Sequence, residues 1–502
     1  MTDAQGGASL LRAARELEFG AALRPRGIVT SVGDAVARVA GLERVAYDEL
    51  VRFDCGALGL AFDLRANTTG VLLLSDAETV QAGDGALATG ELPALPVGTA
   101  TLGRVIDPLG RPLDGNGTLP DLPRRELFRP APELVERERV QMPLHTGVLV
   151  VDAAIPIGRG QRELVIGDRN TGKTALAEDF VVAQRAGDVA CVYVVVGQPI
   201  SRVMALRETL LRAGALPNTA IVAADASMPP GMRYLAPYAG ASVAEWFRDQ
   251  GGHALVVYDD LTKHADSYRE LSLLLERPPG REAFPGDVFY LHAELLERAA
   301  ARNRAAGGGT VTALPIVETT EGDIAAYIPT NAISITDGQI YLDGARFARN
   351  ERPAVDIGRS VSRIGGAAQP RAIREAARNL RILYSRFEEL ESLSRVGLEL
   401  DPGVERDIAR GRLLRALLRQ RRLAPRGRCE ELLCVLSVSE GWVDGLAPEQ
   451  APPFVARLLA RVRSDAPDVA AAIEQDEASD ASLERLRALA QQVRAAAQEP
   501  AR

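Results

Sequence analysis

The pattern of hydrophobic and polar positions changes along the chain, and the first regular pattern runs from residue 26 to 92. Short apolar runs alternate with polar positions there, for example in Gly27–Asp34, Ala35–Val39 and Thr69–Leu74. Turn residues interrupt these runs about every eight to twelve residues. The spacing is typical of a small β-barrel or sandwich, and no catalytic groups stand out in it. We expect this region to serve assembly.

The pattern from residue 93 to 370 alternates buried strands with helices. Apolar strand-like runs occupy Val189–Val196, Thr219–Ala224 and Ala254–Tyr258, and helical periodicity fills the sequence between them. Alternating units of this kind form a parallel sheet with right-handed crossovers. Ligands of such sheets bind at the carboxyl ends of the strands. The region therefore predicts an α/β nucleotide-binding domain whose site lies at that edge.

Helical periodicity dominates from residue 371 to 502, where Arg, Leu, Glu and Ala are abundant. The periodicity indicates helices over 372–391, 405–421 and 483–497, which predicts an α-helical bundle. Residues 1–25 contain a helix-like stretch with no core of its own. That stretch is either a frayed terminus or an arm that docks on a partner, and the sequence favours neither.

A phosphate-binding motif lies between an apolar strand and a helix in the second region. Residues 167–174 read Gly-Asp-Arg-Asn-Thr-Gly-Lys-Thr and match G-x-x-x-x-G-K-[ST] at every fixed position. The preceding run Leu164–Ile166 predicts a buried strand, and 175–182 predict the helix whose N-terminus faces phosphate. In this motif Lys173 reaches the β/γ-phosphates and Thr174 holds Mg²⁺.

Lysine usage supports the same motif. The chain carries 59 Lys and Arg residues, yet only Lys173 and Lys263 are lysines. An ammonium is compact and rotatable where a planar guanidinium is not. Retention of a lysine at position 173 indicates a site that requires the smaller cation.

Two strand ends carry further candidate chemistry. The strand ending at Tyr258 runs into Asp259 and Asp260, and a carboxylate at this position holds Mg²⁺ through its bound water in P-loop nucleotidases; Asp259 is the better candidate. The strand ending at Val196 leads to Gln198, where a carboxylate that polarises the attacking water would be expected. An amide cannot accept that proton. The sequence therefore predicts a nucleotide that is bound but hydrolysed slowly or not at all.

Composition limits the remaining classes of function. A net charge of -8 argues against a broad nucleic-acid footprint. No apolar run approaches the length of a spanning helix, and we see no signal peptide, so we expect a cytosolic protein that reaches a membrane only through partners. The four cysteines show no metal-ligand spacing and are predicted to be buried thiols, and the four scattered histidines receive no metal site.

Several long motifs together resemble the α subunits of F-type ATP synthase headpieces. The resemblance covers residues from about 25 to 500. Its carriers are Pro156–Leu164 with Gly167–Arg169, Tyr258–Leu261, Ala313–Thr319, Tyr327–Asn331, Ile333–Ile340 and Ser360–Arg363.

This resemblance implies a multidomain fold: an N-terminal β-barrel, a central RecA-like P-loop domain and a C-terminal helical bundle. It implies an alternating ring of three α and three β subunits around a central γ shaft, with the peripheral stalk at the N-terminus. The complex would lie on the cytoplasmic face of the bacterial inner membrane and couple ATP synthesis or hydrolysis to H⁺ or Na⁺ transport. Binding of nucleic acid is not expected.

The resemblance also implies roles for individual residues. Mg-ATP or Mg-ADP would be held without being consumed, with Asp259 placed for the metal-bound water and Gln198 replacing a catalytic glutamate. Arg363 corresponds to the arginine finger that reaches into the neighbouring β site. The implied nucleotide-binding residues are Gly167, Asp168, Arg169, Asn170, Thr171, Gly172, Lys173, Thr174, Gln198, Arg352, Gln420 and Arg422.

Three residues depart from the family pattern. Asn170 and Arg422 each stand where the family usually has glutamine, and Arg359 replaces an apolar residue. An added guanidinium near the base would change base contacts, so the occupancy and affinity of the site stay open. The departures are compatible with a divergent, alternate ATPase as well as with the housekeeping synthase.

Two other classes of protein remain as alternatives. A self-sufficient hexameric ATPase of export or translocase type would need a catalytic carboxylate at the position of Gln198, and a translocase would need a basic channel; neither is visible. A purely structural protein that has lost its nucleotide would not be expected to keep Lys173 and Thr174.

Overall fold

The computed structural model describes residues 25–394 and 401–498. The predicted N-terminal arm, residues 1–25, therefore lies outside the described residues except for its last position. The chain divides into two compact units between Pro93 and Ala94. The predicted boundaries at residues 25, 92 and 370 remain predictions.

The first unit is a closed barrel of six strands in the order β1-β2-β5-β4-β3-β6. Neighbouring strands pair antiparallel, and alternate residues such as Val29, Val51 and Val71 fill the interior. Closure leaves no free sheet edge, which decides the choice between barrel and sandwich. The strands are β1 Arg26–Gly33, β2 Val36–Ala40, β3 Leu50–Phe53, β4 Leu58–Leu64, β5 Thr69–Leu73 and β6 Gly85–Ala88.

The second unit is built on an eight-stranded sheet in the order β18-β17-β12-β16-β15-β13-β14-β8. All neighbouring pairs are parallel except β17 with β18. Two small two-stranded sheets, β7 with β9 and β10 with β11, accompany it. Its strands are β7 Ala94–Pro96, β8 Val105–Ile106, β9 Arg124–Glu126, β10 Pro143–Leu144, β11 Ile157–Gly158, β12 Glu163–Asp168, β13 Val189–Val196, β14 Thr219–Ala224, β15 His253–Asp259, β16 Thr310–Thr319, β17 Gly338–Leu342 and β18 Val361–Ser362.

The composition of the central strands explains their position. Every residue of β13 and of β14 is buried, as expected of parallel strands covered on both faces. The helices that connect and flank the strands are α1 Leu149–Ala154, α2 Lys173–Ala183, α3 Ile200–Arg212, α4 Pro230–Asp249, α5 Leu261–Leu274, α6 Val288–Glu297, α7 Tyr327–Ile335, α8 Gly344–Ala348 and α9 Gly365–Ala368.

Helices make up the described part of the chain beyond residue 370. Apolar faces of α13 and α14 meet in a core that is continuous with that of the sheet, through residues such as Leu432, Phe454 and Leu458. The helices are α10 Arg371–Ala376, α11 Leu380–Ser394, α12 Pro402–Leu418, α13 Arg428–Ser439, α14 Ala451–Asp465, α15 Pro467–Glu474 and α16 Asp480–Gln498. Of the helices in residues 25–394 and 401–498, none combines the length and the apolar character needed to span a bilayer.

The predicted fold class is confirmed: a barrel, an α/β region carrying the phosphate loop, and a helical region follow one another along the chain. One detail of the sequence reading is wrong. Cys191, Cys429 and Cys434 are buried, but Cys55 is exposed, because it lies in the turn between β3 and β4 and not on an inward-facing strand position.

Candidate functional site

The phosphate loop connects β12 to α2 at the carboxyl edge of the eight-stranded sheet. Gly167 packs so closely on the neighbouring strand that a Cβ there would lie 2.4 Å from the backbone oxygen of Leu342. Gly172 has φ +100°, and Asn170 has φ 65°. The second is a left-handed conformation that asparagine tolerates better than most residues. Both glycines of the motif are therefore required by the backbone.

Lys173 lies buried inside this loop, with 5% of the residue exposed. Its Nζ donates to the carbonyl oxygens of Gly167 and Asp168 at 2.8 and 2.7 Å. Burial lowers the pKa of Lys173, and the nearby charges of Glu318, Asp260 and Asp259 oppose that change. The ammonium is held at the loop by exchangeable contacts to carbonyl oxygens, which a phosphate group can replace.

The two predicted magnesium residues are brought together. The Thr174 hydroxyl donates to Asp259 Oδ2 at 3.0 Å, and the Tyr193 hydroxyl donates to the same oxygen at 3.0 Å. Burial raises the pKa of Asp259 from its ordinary value. A hydroxyl and a carboxylate at hydrogen-bond distance, beside a phosphate loop, form an oxygen donor set of the kind Mg²⁺ prefers. These residues fit a Mg²⁺ ion carried by a nucleotide.

Gln198 lies just beyond the end of β13, and its side chain is among the groups that lower the pKa of Asp259 against the larger effect of burial. Its backbone carbonyl accepts from Ala226 N–H at 3.0 Å, which anchors the segment. The structure therefore places an amide beside the magnesium carboxylate, at the position where hydrolysis would need a proton acceptor.

A cavity of about 1040 Å³ opens next to the loop, between the sheet region and the helices that follow it. Thr171 and Gly172 form one end of it. Arg352 lies along its wall with its guanidinium 4.6 Å from the ring centre of Phe347. The volume suffices for a nucleoside triphosphate, and the arginine and aromatic pair provides a surface against which a base could stack.

Gln420 and Arg422 also line this cavity, but both side chains are engaged with the protein. The Gln420 amide donates to the carbonyl oxygens of Gly147 and Ala424 at 2.6 and 2.9 Å, and its oxygen accepts from Leu149 N–H at 3.3 Å. Arg422 forms an ion pair with the buried Glu178. Gln420 is therefore held by backbone groups, whereas Arg422 uses its Nε and Nη2 for Glu178 and keeps its Nη1 donors available.

Arg169 and Asp168 occupy the outer part of the loop. Arg169 is largely exposed and lies 3.6 Å from the carboxylate of Glu318. The Asp168 carboxylate accepts from the Thr319 hydroxyl at 2.6 Å and from Gly322 N–H at 2.8 Å. Asp168 therefore ties the loop to the segment after β16, whereas Arg169 is free to move toward a ligand.

Sequence reasoning gave no role to Glu318 or Tyr193, although both lie at the site. Glu318 stands directly beside Gly167 in the register of β16 with β12, 4.0 Å from Lys173. It could have been found by the reasoning that found Asp259, because β16 also ends at the carboxyl edge. Tyr193 lies inside an apolar strand, and nothing in its sequence context distinguishes it from a core residue.

Arg363 lies apart from all of these residues. It follows β18, whose Ser362 pairs with Gly338, and Gly338 in turn pairs with Glu163 at the start of β12. The phosphate loop begins at the other end of β12, about 17 Å away at the usual rise per residue. The Arg363 side chain is exposed, and its backbone N–H donates to Asp337 O at 2.9 Å. The loop and Arg363 thus occupy opposite edges of the sheet.

Comparison with known proteins gives matches over most of the chain. Residues 147–362 match the model of the "ATP synthase alpha/beta family, nucleotide-binding domain", and residues 369–493 match that of the "ATP synthase alpha/beta chain, C terminal domain". The chain is 46% identical over 471 residues to the ATP synthase subunit alpha of Aquifex aeolicus (strain VF5), covering 94% of each chain. It is 51% identical over 430 residues to the ATP synthase subunit alpha 1 of Paraburkholderia xenovorans (strain LB400), covering 86% of this chain and 83% of that one.

Proposed function

Since the chain belongs to the ATP synthase alpha/beta family, and within it resembles the alpha subunits over most of its length, we propose that it is the non-catalytic, regulatory nucleotide-binding subunit of an F-type headpiece. It binds Mg-ATP or Mg-ADP at its own phosphate loop and does not hydrolyse it. The observation that carries this proposal is Gln198, an amide that follows β13 at the carboxyl edge of the sheet, where hydrolysis would need a carboxylate.

The proposed roles at the loop follow from the contacts. Backbone N–H groups of residues 170–174 and the N-terminus of α2 receive the phosphates, Lys173 exchanges its carbonyl partners for phosphate oxygens, and Thr174 with Asp259 holds Mg²⁺ and its water. Arg352 packs against the base side of the cavity. Gln420 and Arg422 keep that wall in place through their bonds to Gly147 and Glu178. The bound Mg²⁺ supplies charge neutralisation for the phosphates.

The proposed role of Arg363 is to act in a neighbouring subunit. An exposed guanidinium at the edge opposite its own loop has no reach to its own nucleotide, and a neighbouring β subunit would place a γ-phosphate there. An arginine finger of this type contributes about 10³ to 10⁵ in rate in nucleotidases. Its support is the position of Arg363, together with the alpha-subunit relatives.

The proposed setting is the complex that the relatives' names imply. Three copies of this chain would alternate with three β subunits around a γ shaft, with the peripheral stalk at the N-terminus and the membrane reached only through the complex, on the cytoplasmic face of the bacterial inner membrane. As a translocase, the complex would couple ATP synthesis or hydrolysis to H⁺ or Na⁺ transport. The ion-binding residues would belong to another chain.

A second candidate is a self-sufficient hexameric ATPase, and Glu318 is the observation that favours it. This carboxylate lies at the loop and is a quarter exposed. It faces the cations Lys173 and Arg169 at 4.0 and 3.6 Å, which suits a positioning role better than that of a general base. We therefore favour the non-catalytic subunit.

The purified chain tests the proposal. Equilibrium dialysis should show about one Mg-ATP per chain, and phosphate release from that bound ATP should be negligible over many hours. Gln198→Glu is the diagnostic variant, because it restores a carboxylate without altering the loop. Substantial hydrolysis by the unmodified chain would overturn the proposal, and its abolition in Glu318→Gln would then establish the second candidate.

A further inference from the structure

A cluster of three potential metal ligands, two of them buried, lies outside the nucleotide site. It consists of His145, which follows β10, Asp152 on α1 and Glu431 on α13. One ligand atom from each lies within 4.8 Å of the other two. His145 Nε2 is 3.1 Å from Glu431 Oε2 and 3.7 Å from Asp152 Oδ2. The cluster joins the sheet region to the helical region that follows it.

We propose that His145, Asp152 and Glu431 form a structural site for a divalent transition-metal ion such as Zn²⁺, which ties α13 to the segment that precedes the phosphate-loop strand. An imidazole nitrogen and two carboxylate oxygens are ligands that Zn²⁺, Mn²⁺ and Fe²⁺ accept. Three protein ligands with a water as the fourth complete a tetrahedral site.

The charge balance of the cluster supports a cation. Asp152 and Glu431 are both buried, and two buried carboxylates need a compensating positive charge. Within the part of the chain that the structure describes, no arginine or lysine forms an ion pair with either of them. Arg428, one turn before Glu431 on α13, instead pairs with Asp476 at 3.1 Å and donates to the carbonyl of Glu474 at 2.7 Å. His145 lies at ion-pair distance from both carboxylates, so a protonated imidazole would supply one positive charge. A divalent ion bound to the neutral imidazole would supply two and neutralise the pair.

An unpartnered oxygen is the independent observation that points to a ligand. Glu431 is fully buried, and its Oε1 has no hydrogen-bond partner among the described residues. The cluster lines a small cavity of about 20 Å³, which is room for about one water-sized group. A buried carboxylate oxygen without a partner carries a desolvation cost, and coordination of an ion in this cavity would remove it.

The ligands are also held in place for coordination. Thr146 N–H donates to both oxygens of Asp152, at 3.0 and 3.1 Å, and orients the carboxylate toward His145. Glu431 is fixed by its position on α13. The backbone oxygen of His145 accepts from Gln184 Nε2 at 2.8 Å. Such supporting bonds are typical of metal sites, where they set ligand orientation.

Isothermal titration calorimetry of the full chain tests the proposal, with ZnCl₂ added after removal of metals by a chelator. We expect one tight site in the unmodified chain, and at least about 100-fold weaker binding in both His145→Gln and Glu431→Gln. At a hundredfold excess over Kd, Zn²⁺ should raise the thermal unfolding midpoint of the unmodified chain by about 2 °C. Retained Mg-ATP binding would show that each variant folds.

Two control variants separate this site from other zinc-binding groups. His253→Gln removes a histidine that lies 3.9 Å from Asp188 at the surface, and Asp259→Asn removes the magnesium carboxylate. Both should bind Zn²⁺ like the unmodified chain. Absence of a tight site in the unmodified chain, or equal affinity in His145→Gln and the unmodified chain, would overturn the proposal.

Discussion

The two edges of the eight-stranded sheet differ in the burial and the contacts of their charged side chains. At the carboxyl edge Lys173 and Asp259 are buried and hydrogen-bonded: Lys173 donates to the loop carbonyls, and Asp259 accepts from Thr174 and Tyr193. At the amino edge Arg363 is exposed, and within the described residues its guanidinium forms no ion pair. In the proposed function, the first edge holds the complete site for the chain's own nucleotide. The second provides one functional group, and a neighbouring subunit completes that site.

This contrast separates binding from catalysis within one chain. Binding requires many weak contacts from one rigid body, and the loop, Mg²⁺ residues and cavity all belong to the same unit. Catalysis requires a group that responds to charge developing in a transition state, and such a group can come from another subunit. A chain can therefore keep an intact phosphate loop and yet contribute to chemistry only at its opposite edge.

Replacing Arg363 with alanine in the reconstituted complex should give the largest effect, because it removes the functional group of the amino edge and leaves the loop site intact. Loss of a finger is expected to lower ATP hydrolysis by about 10³ to 10⁵, while Mg-ATP binding by the isolated chain stays unchanged. Steady-state phosphate release measures the first and equilibrium dialysis the second. Arg359→Ala is the control, since Arg359 is also exposed but stacks on Tyr341, which pairs with Ile166 toward the carboxyl edge of the sheet. Near-normal hydrolysis by Arg363→Ala would refute the finger.

Replacing Lys173 with glutamine should give the reverse result. Removal of a charged hydrogen-bond donor to phosphate is expected to weaken Mg-ATP binding by the isolated chain about 10- to 150-fold, as measured by equilibrium dialysis. Hydrolysis by the complex should fall far less than with Arg363→Ala, because the catalysed nucleotide lies elsewhere. Equal losses of hydrolysis in the two variants would remove the distinction between the edges.

Asp179 and Asp188 should give opposite pH dependences of stability. Burial raises the pKa of Asp179, on α2 beside the nucleotide cavity, to about 6. Ionisation of Asp179 then disfavours the folded state. The resulting loss in the free energy of unfolding is absent below about pH 4, grows as the pH rises to about 6 and stays constant above it. Asp179→Asn should therefore stabilise the chain above pH 6, by at most about 3 kcal/mol. Urea unfolding at several pH values measures this.

Asp188 provides the comparison at the amino edge, just before β13. Its hydrogen bond and ion pair with Arg159 hold its pKa below the ordinary value. Its stabilising effect is present above the unfolded pKa and is lost as the pH falls through the folded pKa. Asp188→Asn should therefore destabilise the chain at neutral pH and have little effect in strong acid. For Asp179, a loss of stability in Asp179→Asn that grows with pH would contradict a raised pKa of this carboxyl.

Arg422→Gln should have the smallest effect on nucleotide binding. The guanidinium is held by Glu178 and half of its side chain is exposed, so a change in Mg-ATP affinity of less than about tenfold is expected. Titration of the isolated chain with Mg-ATP measures it, with Arg421→Gln as a control on the same cavity wall. A larger change would show that Arg422 leaves Glu178 to contact the nucleotide.

Local sequence patterns predicted much of the fold and the loop site. The run 189–196 is apolar at almost every position and predicts a buried strand, and the motif at 167–174 fixes its own geometry through Gly167 and Gly172. Gln198 and Asp259 were predicted from strand ends, since that rule needs only the strand and the residue after it. In the structure Asp259 lies 3.0 Å from the Thr174 hydroxyl, and Gln198 is among the groups that lower the pKa of Asp259.

Contacts between distant parts of the chain could not be predicted in this way. Gln420 bonds to Gly147, and His145 meets Glu431, across more than 270 residues. Nothing near either partner in sequence signals the other. The helical region must pack on the sheet region before Gln420 can bond to the backbone and before the cluster at His145 can form. Neither feature can therefore be predicted from local sequence.

The fate of the nucleotide at the loop tests the central claim most directly. The chain would be loaded with γ-labelled Mg-ATP, assembled into the complex with its partner subunits, and supplied with excess unlabelled ATP while the complex turns over. The account predicts that the label remains as bound ATP through many catalytic cycles, because Gln198 cannot activate water. Release of labelled phosphate at the rate of turnover would contradict it, since the nucleotide at the loop would then be the one hydrolysed.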